Sequence, residues 1–200
     1  MEKQPILKGL GLNPGWKYEA IITSYSDDKP HAAPMGIRVI DEGTVWLEIY
    51  KTSRTAKNIE RKKTFAINFT GDVSLFYRSL SKKEPLTYGK AEKIDAPVLK
   101  DADAWIEARL VDEQDLGGMT RFIAAAVASH KRKKDPQIIN RADYLALECM
   151  IKASKVPYVP DEEKDFLIKE AVYILQAISR VAPASPAEKI AQDIVSTLRR

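Results

Sequence analysis

The densest chemistry in this sequence lies in residues 51–58, KTSRTAKN. Three hydroxyls (Thr52, Ser53, Thr55), three cations (Lys51, Arg54, Lys57) and the Asn58 amide follow a hydrophobic run, TVWLEIY. Such a stretch reads as a strand end running into a short helix. Free backbone N–H groups and the helix dipole favour an anion there. Arg54 offers a planar fork to phosphate oxygens, and the hydroxyls add donors. Composition alone favours the plainer reading, a solvated loop with a capping Ser or Thr. A second stretch, HAAPMGI from His31 to Ile37, is small and apolar. Its Gly36 lets a flat ligand lie close to the backbone, and Pro34 cannot donate to a sheet ladder. A bulged strand fits it equally well.

Other candidates are weaker. His31 could donate a proton or a hydrogen bond, but a hairpin-end residue is the simpler view. His130, followed by Lys131 to Lys134, reads as a solvated strand end, with a phosphate-bearing second substrate as the alternative. Cys149 falls in a helical stripe and reads as core. The two histidines have no metal-ligand spacing, so no metal is expected. Neither a Walker-type loop nor a G-x-G-x-x-G turn is present.

These groups must be positioned by elements that the patterning outlines. Residues 19–25, 32–40, 44–50 and 64–70 read as short strands bounded by turn residues, with Asp41-Glu42-Gly43 as a tight hairpin. Residues 86–94 and 104–111 read as further strands. Residues 121–130, RFIAAAVASH, fit a helix or a buried strand, and periodicity does not choose between them. Asp72 caps a helix over residues 72–83 with Val73, Phe76, Tyr77 and Leu80 on one face. After Pro136 the texture turns helical. Asn140 caps residues 141–155, with Ala142, Leu145, Cys149 and Ile151 near one stripe. Asp161 caps residues 162–181, and Ser185 with Pro186 opens a last helix carrying Ile190, Ile194 and Leu198. The organisation expected is therefore residues 1–136 and a helical subdomain over 137–200.

Two hundred residues at 44% hydrophobic and 30% charged suit an ordinary globular chain. The net charge of +4, from 32 basic and 28 acidic residues, suits a small anion better than a nucleic acid, which is not expected as a partner. One cysteine excludes an internal disulfide and fits a cytoplasmic setting. Residues 1–12 lack a leader's hydrophobic core, and no apolar run approaches the ~20 residues that span a bilayer, so no membrane is expected.

AAPMGI, KTSRTAKNI and FAINFTGDVSLF, in this order and spacing, resemble the FMN-binding split-barrel superfamily of flavin reductases, flavoredoxin-like proteins and pyridoxamine-phosphate oxidases. Through NRADYLALE and the helices after it, the chain is most similar to a largely archaeal conserved family of unknown function with a helical C-terminal part. The resemblance implies an α+β fold, an antiparallel split β-barrel with a C-terminal helical layer, and makes residues 121–130 a strand. It implies FMN as cofactor, with Lys51, Thr52, Ser53, Arg54, Thr55 and Asn58 holding the phosphate. Ala33, Pro34, Met35 and Gly36 would line the isoalloxazine, with His31 beside them. Asn68 and Thr70 would reach the ribityl chain or ring edge. A homodimer with flavin at its interface is implied, with Arg121 a candidate contribution from the second subunit. The activity implied is that of an FMN-dependent oxidoreductase using NAD(P)H. A non-catalytic flavin carrier or sensor is the alternative, and an interaction module using the basic turns a third.

Overall fold

The computed structural model describes residues 6–198. Residues 1–5, part of the stretch read for a leader, and 199–200 lie outside them. The chain divides after Ile139 into two compact units.

Among the described residues the first unit holds a 3-10 turn (Lys8–Leu10), eight strands and two α-helices: β1 (Lys17–Ser26), β2 (Lys29–Asp41), β3 (Thr44–Tyr50), α1 (Arg54–Lys62), β4 (Thr64–Phe69), α2 (Val73–Ser81), β5 (Tyr88–Lys90), β6 (Pro97–Leu99), β7 (Ala104–Asp115) and β8 (Met119–Lys131). Six strands close an antiparallel barrel in the order β1-β2-β3-β8-β7-β4, and β5-β6 form a separate pair. The interior is filled by Ile22, Ile37, Leu47, Ile59, Phe65, Ile67, Phe69, Ile106 and Phe122, all buried. Strand β1 is buried on both faces. Ile22 points into the barrel, while Ile21 packs outside it with Ala32, Leu75, Leu99 and Ala102. A strand covered on both sides needs no polar alternation, which is why EAIITSY reads as a nearly continuous apolar run.

The stretch that periodicity left undecided is β8. It pairs with β3 from Thr44↔Ala125 to Tyr50↔Met119, and with β7 along its other edge. A ladder to β3 over Met119 to Ala125 and a longer one to β7 override the helix preference of its alanines. The β7-β8 connection turns at Gly117, whose φ of 79° suits glycine. The strand expected over residues 86–94 is shorter than read. It stops at Lys90, and a second short strand, β6, was missed. The Glu107 carboxylate, itself buried, accepts the backbone N–H groups of Glu92 (2.8 Å) and Lys93 (2.6 Å). The backbone there satisfies a side chain instead of a ladder.

Helix α2 has the expected cap, with Asp72 accepting from Ser74 N, but not the expected face. Leu75 and Ser79 are buried, whereas Val73, Tyr77 and Leu80 are exposed. The second unit repeats this. Its helices are α3 (Ala142–Lys155), α4 (Asp161–Val181) and α5 (Pro186–Leu198). Their buried residues are Ala142, Ala146 and Cys149; Leu167, Ala171, Ile174, Ile178 and Val181; and Ala187, Ala191 and Val195. Ile190 and Phe166 stay exposed. Alanine faces let helices approach closely, and so the larger side chains are turned outward. Ser185 accepts from Glu188 N, as expected; Asn140 accepts from Ala142 N, but the cap position of α3 is Arg141 rather than Asn140, and that of α4 is Pro160 rather than Asp161. No helix among the described residues is long and apolar enough to cross a membrane.

Asn68 ties the barrel to its surroundings. Its amide donates to Ile21 O and Thr23 Oγ1 and accepts from Leu99 N, each at 2.9 Å. Asn68→Leu leaves the Leu99 N–H buried and without its acceptor, and should cost about 2–4 kcal/mol. The check is a fall in the urea midpoint at unchanged m-value.

Candidate functional site

The site begins with a strand that is only half paired. Strand β2 is laddered to β1 from Lys17↔Arg38 to Ser26↔Lys29, but to β3 only from Arg38 to Asp41. Upstream of Arg38 its second edge is open to other elements. The Ala32 carbonyl on that edge accepts from the Lys82 ammonium, which also reaches Ser79 O. Pro34 lies two residues on, so the N–H it lacks belongs to the same open edge, and the β1 ladder survives intact. Successive side chains alternate between faces. Met35 packs against the barrel core, whereas Gly36 lies on the outer face beneath Lys17. A β-carbon at Gly36 would come within about 2.0 Å of Lys17 Cε. Ala33 to Gly36 therefore do not present one continuous side-chain surface. What they share is the open backbone edge.

Helix α1 starts beside this edge. Ser53 is its N-cap in extended conformation (φ −71°, ψ 150°), and its Oγ accepts from Ala56 N at 3.2 Å. The first-turn N–H groups of Arg54 and Thr55 have no carbonyl earlier in the helix to bond, and no acidic residue stands in that turn. Thr55 is buried, and its Oγ1 lies 3.1 Å from His31 Nε2, which fixes the first turn of α1 against β2. Asn58, also buried, donates to Ser24 Oγ at 3.0 Å. Thr52, Arg54 and Lys57 remain exposed. With Ser26, Asp27, Asn58 and Arg61 they line an open pocket of ≈ 510 Å³.

The electrostatics are one-sided. Burial lowers the His31 pKa to about 4, and the positive charges of Lys82 and Arg54 push it the same way. His31 is thus a neutral imidazole at pH 7. Burial and Arg54 also lower the pKa of Lys82. No carboxylate contributes to either shift. Sequence reasoning missed Lys82. It caps α2 in the left-handed region (φ 57°) and reaches the β2 edge from there. Its one signal in the sequence is a basic residue at a helix C-terminus, which is common.

The structure gathers His31, Thr52, Ser53, Arg54, Thr55 and Asn58 around the start of α1, with Ala33, Pro34, Met35 and Gly36 along the adjoining strand. The other expected residues lie apart or are engaged. Lys51 pairs with Asp115 at 2.6 Å. Arg121 pairs with Glu48 (Nη2–Oε1 2.5 Å) and stacks over Trp46 at 4.5 Å. Asn68 is spent on the three internal bonds described above, and buried Thr70 accepts from Asp72 N. His130, read as a solvated strand end, stacks on Trp105 at 4.7 Å with its Nε2 2.9 Å from the Glu107 carboxylate. Cys149 is buried, as expected.

Residues 18–133 match the family described as protein of unknown function (DUF447), N-terminal domain. The match takes in more than half of the chain, and the chain belongs to this family. Among solved structures it is similar to an FMN-bound protein of the same family from Methanosarcina mazei, at 22% identity and a TM-score of 0.54, over 96% of this chain and 99% of that one. A flavin reductase complexed with NADP+ aligns at 19% identity and a TM-score of 0.54, over 67% of this chain and 90% of that one. A 2-nitrobenzoate 2-nitroreductase from Pseudomonas fluorescens aligns at 20% and 0.52, over 64% and 70%. At these identities the likeness shows the fold, and the fold is the split barrel.

The lowered pKa of His31 has a consequence for stability. The unfolded chain takes up this proton near pH 6.5, its ordinary value, and the folded chain only near pH 4. Between those values the unfolded state binds more protons, so this group reduces stability as pH falls through the window and adds no further loss below it. Thermal midpoints of His31→Gln should therefore fall less steeply than those of the wild type between pH 6.5 and pH 4. Parallel curves would show that His31 titrates alike in both states.

Proposed function

We propose that this chain binds FMN and works as a flavin-dependent oxidoreductase with NAD(P)H as electron donor. One observation carries the reading: a cluster of Arg54, Lys82 and neutral His31, with no acid among them, fills the angle between a helix N-terminus and an open strand edge. A phosphate fits the helix end, where Arg54, the Thr52 hydroxyl and the first-turn N–H groups converge. Ser53 and Thr55 shape that turn through the cap and the His31 contact. Asn58 holds the helix to β1. A planar ring fits the edge from Ala33 to Gly36, where backbone polar groups are free to hydrogen-bond it. Lys82 gives that edge a positive potential that favours negative charge on its occupant. His31, uncharged, adds a hydrogen-bonding group without a second cation.

Bound FMN would supply the hydride and electron chemistry itself. The chain's part is position, charge and access, and the reading requires no catalytic acid–base pair of it. The family member that is FMN-bound and the reductase that carries NADP+ share this fold, and both support it. The proposal includes a homodimer, with the outer face of β3 and β8 around Trp46 and Arg121 meeting a second copy, and a cytoplasmic setting.

Flavin-free protein should bind FMN tightly and riboflavin weakly. Arg54→Ala removes a charge-assisted contact and should weaken FMN by about tenfold to a hundredfold, with riboflavin unchanged. Equal losses for both flavins, or none for either, would remove the phosphate from α1. Anaerobic bleaching of the bound flavin by NADH or NADPH tests turnover, and its failure with both would leave a carrier or sensor.

A further inference from the structure

A hydride carries two electrons and one proton. A flavin that accepts one gains a negative charge unless a second proton follows. A protein can meet that charge with an acid that donates or with a cation that stays. The groups at this corner are of the second kind. His31 carries no spare proton at pH 7, because burial, and after it Lys82 and Arg54, lowers its pKa to about 4. Lys82 and Arg54 are cations without an acidic partner among the described residues. The position of Lys82 is specific. Its ammonium donates to Ala32 O and Ser79 O. An ammonium has three donors, so one is left for a ligand, and the residue is exposed. Ala32 lies between the ring edge, Ala33 to Gly36, and His31, which meets Thr55 at the phosphate end. The charge of a reduced flavin collects at N1 and the C2 carbonyl, beside N10, the atom from which the chain to the phosphate leaves. A cation between ring edge and phosphate end meets the charge that reduction creates, and gains little from the neutral oxidised ring.

We propose that Lys82 makes this protein hold reduced FMN more tightly than oxidised FMN, so that the flavin stays in place and passes its electrons on from the site instead of leaving as a reduced product. The step balances. The two electrons and one proton of the hydride go to the flavin, the nicotinamide leaves oxidised, and the added negative charge rests against Lys82 with no proton drawn from the chain. The electron acceptor must then come to the bound ring. This rests on the flavin reading above, which leaves open whether the flavin stays or leaves. By linkage, a site that favours one redox state shifts the potential of its occupant, and for two electrons each tenfold of preference is about 30 mV.

The experiment measures the affinity of flavin-free protein for oxidised FMN and the midpoint potential of the bound flavin, which together give the affinity for the reduced form. It compares the wild type with Lys82→Met and Lys82→Arg, whose folds are checked by circular dichroism melts. The wild type should bind reduced FMN about tenfold or more tightly than oxidised, which places its potential about 30 mV or more above that of free FMN. Lys82→Met should bring the two affinities within about threefold of each other and change oxidised binding by less than about threefold. Lys82→Arg keeps the charge and should keep the preference. The proposal is overturned if the wild type prefers the reduced form by no more than about threefold, a result that needs no variant. It is equally overturned if Lys82→Met keeps the preference, or if the Met and Arg variants lose it alike. Wild-type protein that binds both redox states equally sinks this inference alone. Protein that takes up no flavin in either state would sink the flavin reading first, and this inference with it.

Discussion

Strand β2 is laddered to β1 from Lys29 to Arg38 but to β3 only from Arg38 to Asp41, so upstream of Arg38 one of its edges has no strand beside it. Most of what is distinctive in the first unit follows from that constraint. A strand edge next to packed side chains must satisfy its N–H and C=O groups somewhere. Here α1 and α2 come to it instead of β3. Helix α2 sends Lys82 to the Ala32 carbonyl, and α1 fixes its first turn by the Thr55–His31 contact. The chain can spare this edge because the barrel closes elsewhere, through the long β8 ladders on β3 and β7. Proline is harmless on such an edge, and a small, apolar sequence keeps it approachable. The features that look like weaknesses in a strand are what leave it open to a ligand.

The same corner is costly in electrostatic terms. Burial, and after it the positive charges of Lys82 and Arg54, lowers the pKa of His31, and burial with Arg54 lowers that of Lys82. A chain selected for stability alone would place a carboxylate among them. Charged groups gathered without a counter-charge are a sign of a missing negative partner, and perturbed titration in a cleft points the same way. A bound anion would remove the repulsion, so its affinity and the fold's stability are coupled through these groups.

Much of the barrel is legible in the sequence because its signals are local. The first four strands, the Asp41 to Thr44 hairpin, and the Ser53 and Asp72 caps depend on neighbours a few residues away. The helix faces are misread because hydrophobicity weights Ile190 and Phe166 above Ala171 and Ala191, whereas close packing needs the alanines. Residues 121–130 depend on two ladders that no local pattern encodes, and the family resemblance supplies the strand. The bend at Glu92 and Lys93 depends on Glu107, a carboxylate from another strand. Lys82 is invisible for a similar reason: a lysine after a helix is ordinary until the strand edge it reaches is known.

The candidate cations divide by one criterion that the sequence cannot supply. Lys51, Arg121 and Arg61 look as able to hold an anion as Arg54 does, yet each has a carboxylate at hand: Asp115, Glu48 and Asp27. Exposed pairs of this sort contribute little to stability, but they lower the potential available to a ligand. Arg54, Lys57 and Lys82 have no acidic partner among the described residues. Arg121 is further occupied by the Trp46 ring, which Arg38 approaches at 5.5 Å. A net charge of +4 spread over the chain therefore says little about binding. What matters is that three unneutralised cations fall within reach of one helix start and one open strand edge. Arg61 is the intermediate case, since its partner Asp27 lines the same pocket.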